Sequence, residues 1–217
     1  MLSTNQEPQP RALTSGVDGF RYYPGYLSAS QCAALVEGVL SLSQAAPFFR
    51  GNMPRTGVPL NLPTTNLGSL GWVSSIDGYR YQTTHPETGM PWPSIPKSVL
   101  EIWAALSDYP HAPEACLVNF YRGETAKLGL HIDADELAVN APVVSISLGD
   151  TALFRLGGPT RKGATRSMKL SSGDVVVLGG ASRRFYHGVD RIYPGTSRLV
   201  PGGGRINLTM RRVTLPA

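Results

Sequence analysis

The sequence predicts a mainly β domain of the α+β class: a two-sheet jelly roll with helices in its N-terminal half. Three observations predict it. Glycine (24) and proline (18) are abundant in a chain of 217 residues, which favours short strands and turns over a helical bundle. The second half carries about eight short apolar or alternating runs with turn residues between them. Helical periodicity is confined to two segments of the first half.

In chain order, residues 1 to about 15 are polar and proline-containing and read as a flexible tail. Residues 16–217 read as a single domain. Ser28–Leu42 reads as a helix. Ser28 or Ser30 can cap it, and Cys32, Leu35, Val36, Val39 and Leu40 recur at helical spacing. Pro47–Pro63 is rich in Gly, Pro and Asn and reads as a loop or mobile hairpin. Gly71–Tyr81 holds Trp72, Tyr79 and Tyr81. A second helix is expected from Lys97 to Leu106, after Pro91, Pro93 and Pro96. The expected strands are Ala115–Arg122, Leu128–Asp133, Val143–Gly149, Ala152–Leu156, Ser167–Leu170, Asp174–Leu178, Arg184–His187 and Arg205–Val213.

Bulk properties narrow the function. The formal charge is +5 and the pI about 9.4, which suits a phosphate-bearing partner. Cys32 and Cys116 are the only cysteines, so neither a disulfide scaffold nor a zinc knuckle is expected, and the cytoplasm is the expected compartment. No apolar stretch is long enough to span a bilayer, and the N-terminus has no apolar signal-like core.

The chemistry is concentrated in a few residues. His131-Ile132-Asp133 puts two metal-ligating side chains on one face of an extended strand. His187, in Phe185-Tyr186-His187-Gly188, supplies a third. Two histidines and a carboxylate with other positions open form the ligand set of non-haem Fe(II) oxygenases, although zinc accepts the same donors. A His-x-Asp pair alone is ordinary polar surface, and the surrounding pattern decides. His85 and His111 read as surface residues.

Arg205-Ile-Asn-Leu-Thr-Met-Arg211 is the second constellation. Arg205, Asn207, Thr209 and Arg211 share one face, and Ile206, Leu208 and Met210 the other. Two guanidinium forks suit a small dicarboxylate. Asn119 and Tyr121 alternate in the same way around Phe120. The plainer reading is an amphipathic edge strand with a solvated basic face.

These segments together resemble the AlkB family of iron- and 2-oxoglutarate-dependent dioxygenases. The matching stretches are Asn66–Trp72, Gly89–Pro93, Ala115–Tyr121, Ala126–Glu136, Pro142–Gly149, Gly173–Val177 with Gly179-Gly180, Phe185–Gly188 and Arg205–Arg211. The resemblance implies a double-stranded β-helix (jelly roll) core, about 115–213, with a nucleotide-recognition lid at about 47–90. It implies Fe(II) on His131, Asp133 and His187, with O2 as a further co-substrate. It implies 2-oxoglutarate paired with Arg205 and Arg211 and assisted by Asn119, Tyr121 and Asn207. It implies a flipped base held by Trp72 and Tyr79, with Asp135 at the base edge and Lys127 and Arg161 near the nucleic-acid backbone. For Trp72 and Tyr79 the plainer reading is core packing.

The implied activity is oxidative demethylation of 1-methyladenine and 3-methylcytosine, which releases formaldehyde and so repairs alkylated DNA. The expected substrate is single-stranded DNA, with double-stranded DNA or RNA also open, and the expected state is a monomer. Val58 stands about where the family lid carries an aromatic residue. Two rival readings remain: a tRNA-, RNA- or protein-directed oxygenase on the same scaffold, and a non-catalytic jelly-roll binding module.

Overall fold

The computed structural model describes residues 16–216, apart from Glu124; the expected tail at 1 to about 15 lies outside the described residues. The first strand is β1 (Phe20–Tyr23), followed by helix α1 (Ala29–Leu42). Ser28 is the cap. Its hydroxyl accepts from the Gln31 backbone N–H, and the Gln31 side chain accepts from the Ser28 backbone N–H. This reciprocal pair satisfies two donors that the first helical turn otherwise leaves open. Helix α2 (Lys97–Leu106) has the expected bounds.

Three sheets carry the rest. The larger jelly-roll sheet contains β1, β2 (Thr64–Gly68), β5 (Ala115–Tyr121), β7 (Val143–Gly149), β10 (Val175–Leu178) and β12 (Arg205–Arg211). Its order is β1-β10-β7-β12-β5-β2. The smaller contains β6 (Leu128–His131), β8 (Thr151–Leu156), β9 (Arg166–Leu170) and β11 (His187–Tyr193), in the order β6-β11-β8-β9. A separate hairpin pairs β3 (Gly71–Ser75) with β4 (Gly78–Gln82).

The alternation in β12 explains the layering. Ile206, Leu208 and Met210 are fully buried with Val99, Ile102 and Trp103 of α2 and Val36 and Val39 of α1. Burying each such side chain contributes about 1.5–3 kcal/mol. A second apolar cluster joins the two sheets through Val143, Val176 and Leu178 of the larger and Phe154, Leu156, Val189 and Ile192 of the smaller. The polar face of β12 is also buried. It is therefore no solvated edge strand: β12 is central, paired with both β5 and β7.

Three expectations need correction. Arg184–His187 is not a strand: Gly180–Arg184 is a 3₁₀ turn, and the strand begins at His187 and runs on to Tyr193. Backbone bonds from Ser182 to Asp18 and from Arg183 to Gly179 hold that turn. Strand β6 ends at His131, so Asp133 lies just beyond it. His85 is not at the surface. It is 1% exposed, packs between Phe49 and Trp92 at 5.0 and 5.1 Å, and its Nε2 lies 2.8 Å from the Pro47 carbonyl. Pro47–Pro63 is a loop, as expected, tied down where Phe49 bridges Thr64 and the Asn52 N–H donates to the Ser74 carbonyl of β3. His111 is exposed as expected.

Candidate metal and co-substrate site

Strands β6 and β11 build the first half of the site. His187 is the direct cross-strand partner of His131, and directly opposed side chains in an antiparallel pair project to the same face. The imidazole centroids are 4.5 Å apart. The next residue, Gly188, permits the close approach. A side chain there would collide with the Leu128 and Gly129 carbonyls, at 2.6 and 2.9 Å. Asp133 enters from the chain that continues past β6.

The donor atoms of His131, Asp133 and His187 lie within 4.8 Å of one another. His131 Nε2 is 3.6 Å from Asp133 Oδ1, and His187 Nε2 is 3.9 Å from Asp133 Oδ2. Each histidine turns its other nitrogen to a backbone carbonyl: His131 Nδ1 to Gly129 O at 2.9 Å, and His187 Nδ1 to Phe185 O at 3.0 Å. These bonds select the tautomer that leaves both Nε2 lone pairs facing the carboxylate, an arrangement common among metal-binding histidines.

The electrostatics agree. Burial, then the neighbouring His131, pushes the His187 imidazole down to about 4, so it is neutral and able to donate a lone pair near pH 7. Burial opposes ionisation of Asp133. The surrounding Arg211, His187, His131 and Arg183 outweigh it and hold the carboxyl well below the usual carboxylate range. The neutral His187, a second imidazole from His131 and one carboxylate make a donor set that suits a divalent cation.

Strand β12 builds the second half. Arg205 faces Tyr121 across the β5 pairing, and Asn207 faces Asn119. All four are buried. Arg205 Nη2 donates to Ser147 Oγ at 2.9 Å, while Nε and Nη1 have no hydrogen-bond partner among the described residues. A buried guanidinium with open donors is costly unless an anion completes it. Asn207 donates to Ser145 Oγ and Ile146 O, at 2.7 and 2.9 Å. The open donors of this row are those of Arg205, and they suit a carboxylate.

Arg211 holds a different position. Its Nε and Nη2 donate to Asp133 Oδ2 and Oδ1, at 3.1 and 2.9 Å. It therefore orients the metal-ligand carboxylate as well as closing that end of the row. Behind it lie two residues to which sequence reasoning gave no role. Glu136 accepts from Arg183 Nη2 at 2.9 Å and from the Tyr81 hydroxyl. Arg183 also donates to the Asp133 carbonyl. Glu136 and Arg183 are both buried, and one sequence gives no sign that they meet.

The hairpin β3–β4 presents the aromatic residues. Trp72 and Tyr79 stack with centroids 5.3 Å apart. Trp72 is half-buried and Tyr79 is 46% exposed, so neither is a core residue. Trp72 Nε1 donates to Asp135 Oδ2 at 2.7 Å. Asp135 is itself exposed, two residues past Asp133. Lys127, just before β6, and Arg161, in the turn between β8 and β9, are exposed. Val58 is also exposed, on the segment that packs against the hairpin.

This combination of jelly roll, metal-binding triad and buried arginine row has a counterpart among known proteins. The family model of the 2OG-Fe(II) oxygenase superfamily matches residues 19–211, and the chain belongs to that superfamily. It is an Fe(II)- and 2-oxoglutarate-dependent dioxygenase.

Within the superfamily it is a member of the AlkB family. It is 54% identical over 196 residues to the alpha-ketoglutarate-dependent dioxygenase AlkB homolog of Caulobacter vibrioides, covering 90% of this chain and 88% of that protein. It is 38% identical over 192 residues to the alpha-ketoglutarate-dependent dioxygenase AlkB of Escherichia coli, covering 87% and 86%. The solved structure of OsALKBH1 superposes with a TM-score of 0.77 at 30% identity, covering 93% of this chain and all of that one.

Proposed function

We propose that the chain oxidatively demethylates N-alkylated bases of nucleic acid, with 1-methyladenine and 3-methylcytosine in single-stranded DNA as its substrates. The observation that carries this reading is the placement of the Trp72–Asp135 pair two residues from Asp133. An aromatic ring and a carboxylate are thereby tied to the segment that carries Asp133. 1-Methyladenine and 3-methylcytosine are cationic near neutral pH and suit both.

In this reading His131, Asp133 and His187 hold Fe(II), which supplies the oxygen activation that the side chains cannot. Arg205 and Arg211 take the carboxylates of 2-oxoglutarate, with Asn119, Tyr121 and Asn207 lining the same row. Trp72 stacks on the flipped base, Tyr79 supports Trp72 from its other face, and Asp135 favours the cationic edge. Lys127 and Arg161 meet the phosphate backbone. Residues 47–90 act as the nucleotide lid, over a catalytic core at about 115–213. Hydroxylation of the methyl group leaves a hemiaminal that releases formaldehyde.

Single strands are favoured because no base pair has to open to present the base. The proposal includes a monomeric state and a cytoplasmic location. Two buried free cysteines fit a reducing compartment, and no helix among the described residues is long and apolar enough to cross a membrane. Mass spectrometry of a mixed panel of methylated DNA and RNA oligonucleotides, incubated with protein, Fe(II) and 2-oxoglutarate, tests the reading. Loss of 14 mass units, one methylene, from the 3-methylcytosine and 1-methyladenine strands is the expected result. Turnover of RNA alone would reassign the substrate.

A further inference from the structure

We propose that Glu136 is a positioning residue of the metal centre: its carboxylate holds Arg211 and Arg183 behind Asp133 and anchors the aromatic hairpin to the same segment through Tyr81. The inference rests on the metal-ligand assignment above.

The geometry is closed on every side. Glu136 Oε1 lies 3.4 Å from Arg211 Nε, and Oε2 lies 2.9 Å from Arg183 Nη2. Arg211 forks onto both oxygens of Asp133, and Arg183 Nη1 reaches the Asp133 carbonyl at 2.8 Å. Arg183 donates further to the Ala141 carbonyl at 2.9 Å. The side chains of Asp133, Glu136, Arg183 and Arg211 are each at most 7% exposed. Two carboxylates and two guanidiniums make a neutral buried group, which avoids the cost of an unpaired buried charge.

Neutrality has a consequence for the cation. Asp133 has to serve two partners, Arg211 and the metal. Glu136 shares the load of Arg211 and cancels the charge of Arg183. Removing its charge leaves one net positive charge beside the metal ligands and binds Arg211 more tightly to Asp133. Both effects weaken cation binding.

The same carboxylate ties in the hairpin. Trp72 and Tyr81 are direct cross-strand partners. Trp72 donates to Asp135 and Tyr81 to Glu136, two consecutive residues. The strand pair that carries the stacking tryptophan is thus fastened twice to the segment that carries Asp133.

Calorimetric titration of Co(II) into metal-free protein tests the metal half. Glu136→Gln is expected to weaken Co(II) binding at least tenfold with one site per chain retained. Arg183→Gln removes the opposite charge and is expected to bind Co(II) as tightly as the wild type or more tightly. A purely structural role would weaken both variants, so matching losses, or no change in Glu136→Gln, would overturn the proposal. Wild-type protein that binds no Co(II) would instead remove the metal-ligand assignment itself.

Hydrogen exchange of residues 71–82 tests the hairpin half. Tyr81→Phe and Glu136→Gln are each expected to raise deuterium uptake there, and the double variant to add little. Unchanged uptake in both single variants would overturn the anchoring role.

Discussion

His131 and His187 face each other across one antiparallel strand pair, with imidazole centroids 4.5 Å apart. That register brings together two residues 56 positions apart in the sequence. Asp133, two residues past His131, completes the triad. Replacing His131, Asp133 or His187 with alanine is expected to abolish succinate formation while circular dichroism stays that of a folded protein. Exposure to a chelator should have the same effect, reversed by Fe(II) but not by Zn(II). Zinc offers the donors the same geometry without the redox chemistry. Normal turnover by Asp133→Ala would refute the ligand assignment.

Among the described residues Arg205 Nε and Nη1 meet no acceptor, in a wholly buried side chain. Charge-assisted bonds of this kind contribute about 1.5–3 kcal/mol. Arg205→Ala is therefore expected to raise the KM for 2-oxoglutarate roughly ten- to a hundredfold. The KM for a methylated oligonucleotide should change little. Equal loss for both ligands would argue for general collapse of the site.

Trp72 commits its N–H to Asp135, two residues past Asp133. Stacking on a base contributes about 1–3 kcal/mol, so Trp72→Ala should lower kcat/KM on 3-methylcytosine roughly ten- to a hundredfold. Steady-state kinetics on single- and double-stranded oligonucleotides would measure this. An unchanged kcat/KM would reduce Trp72 to a packing residue. A preference for a neutral base such as 6-methyladenine would remove the electrostatic argument for Asp135.

The metal-free protein should lose stability in acid. His187 is held at about 4 in the folded chain, below its ordinary 6.5. The unfolded chain thus binds the extra proton first. The contribution of His187 is full above about 6.5 and is lost as pH falls towards 4, on the order of 3 kcal/mol in total. Asp133, held low in the fold, has the same sign at still lower pH. Chemical denaturation between pH 7 and 4 would show the slope, and His187→Gln should flatten it. An identical slope in that variant would place the acid sensitivity elsewhere.

The readability of the sequence varied with the range of the interaction. Strand β12 was legible because apolar Ile206, Leu208 and Met210 alternate with polar neighbours, a local pattern of period two. Helix α1 was legible through Ser28 and its periodic apolar face. The ligand triad was legible because His131-x-Asp133 is short-range and a third histidine followed in a matching context.

Glu136 and Arg183 were not legible as a pair, since 47 positions separate them and only the packing of the two sheets joins them. His85 read as a polar loop residue. Nothing local reveals that Phe49 and Trp92 close over it. Strands β1 and β2 were missed for a related reason: each lies at an edge of the larger sheet and depends on a distant partner, β10 or β5. The 3₁₀ turn at Gly180–Arg184 displaced the expected strand because its Ala181 and Ser182 N–H groups donate to Asp18, far upstream.

The central claim is that this site couples 2-oxoglutarate turnover to removal of a methyl group from a nucleobase. The most direct measurement is the ratio of formaldehyde to succinate released with a single-stranded 3-methylcytosine oligonucleotide, Fe(II) and 2-oxoglutarate. The expected ratio is close to one, with both products absent in Asp133→Ala. Succinate formed at the same rate without the oligonucleotide, and no formaldehyde with it, would contradict the account.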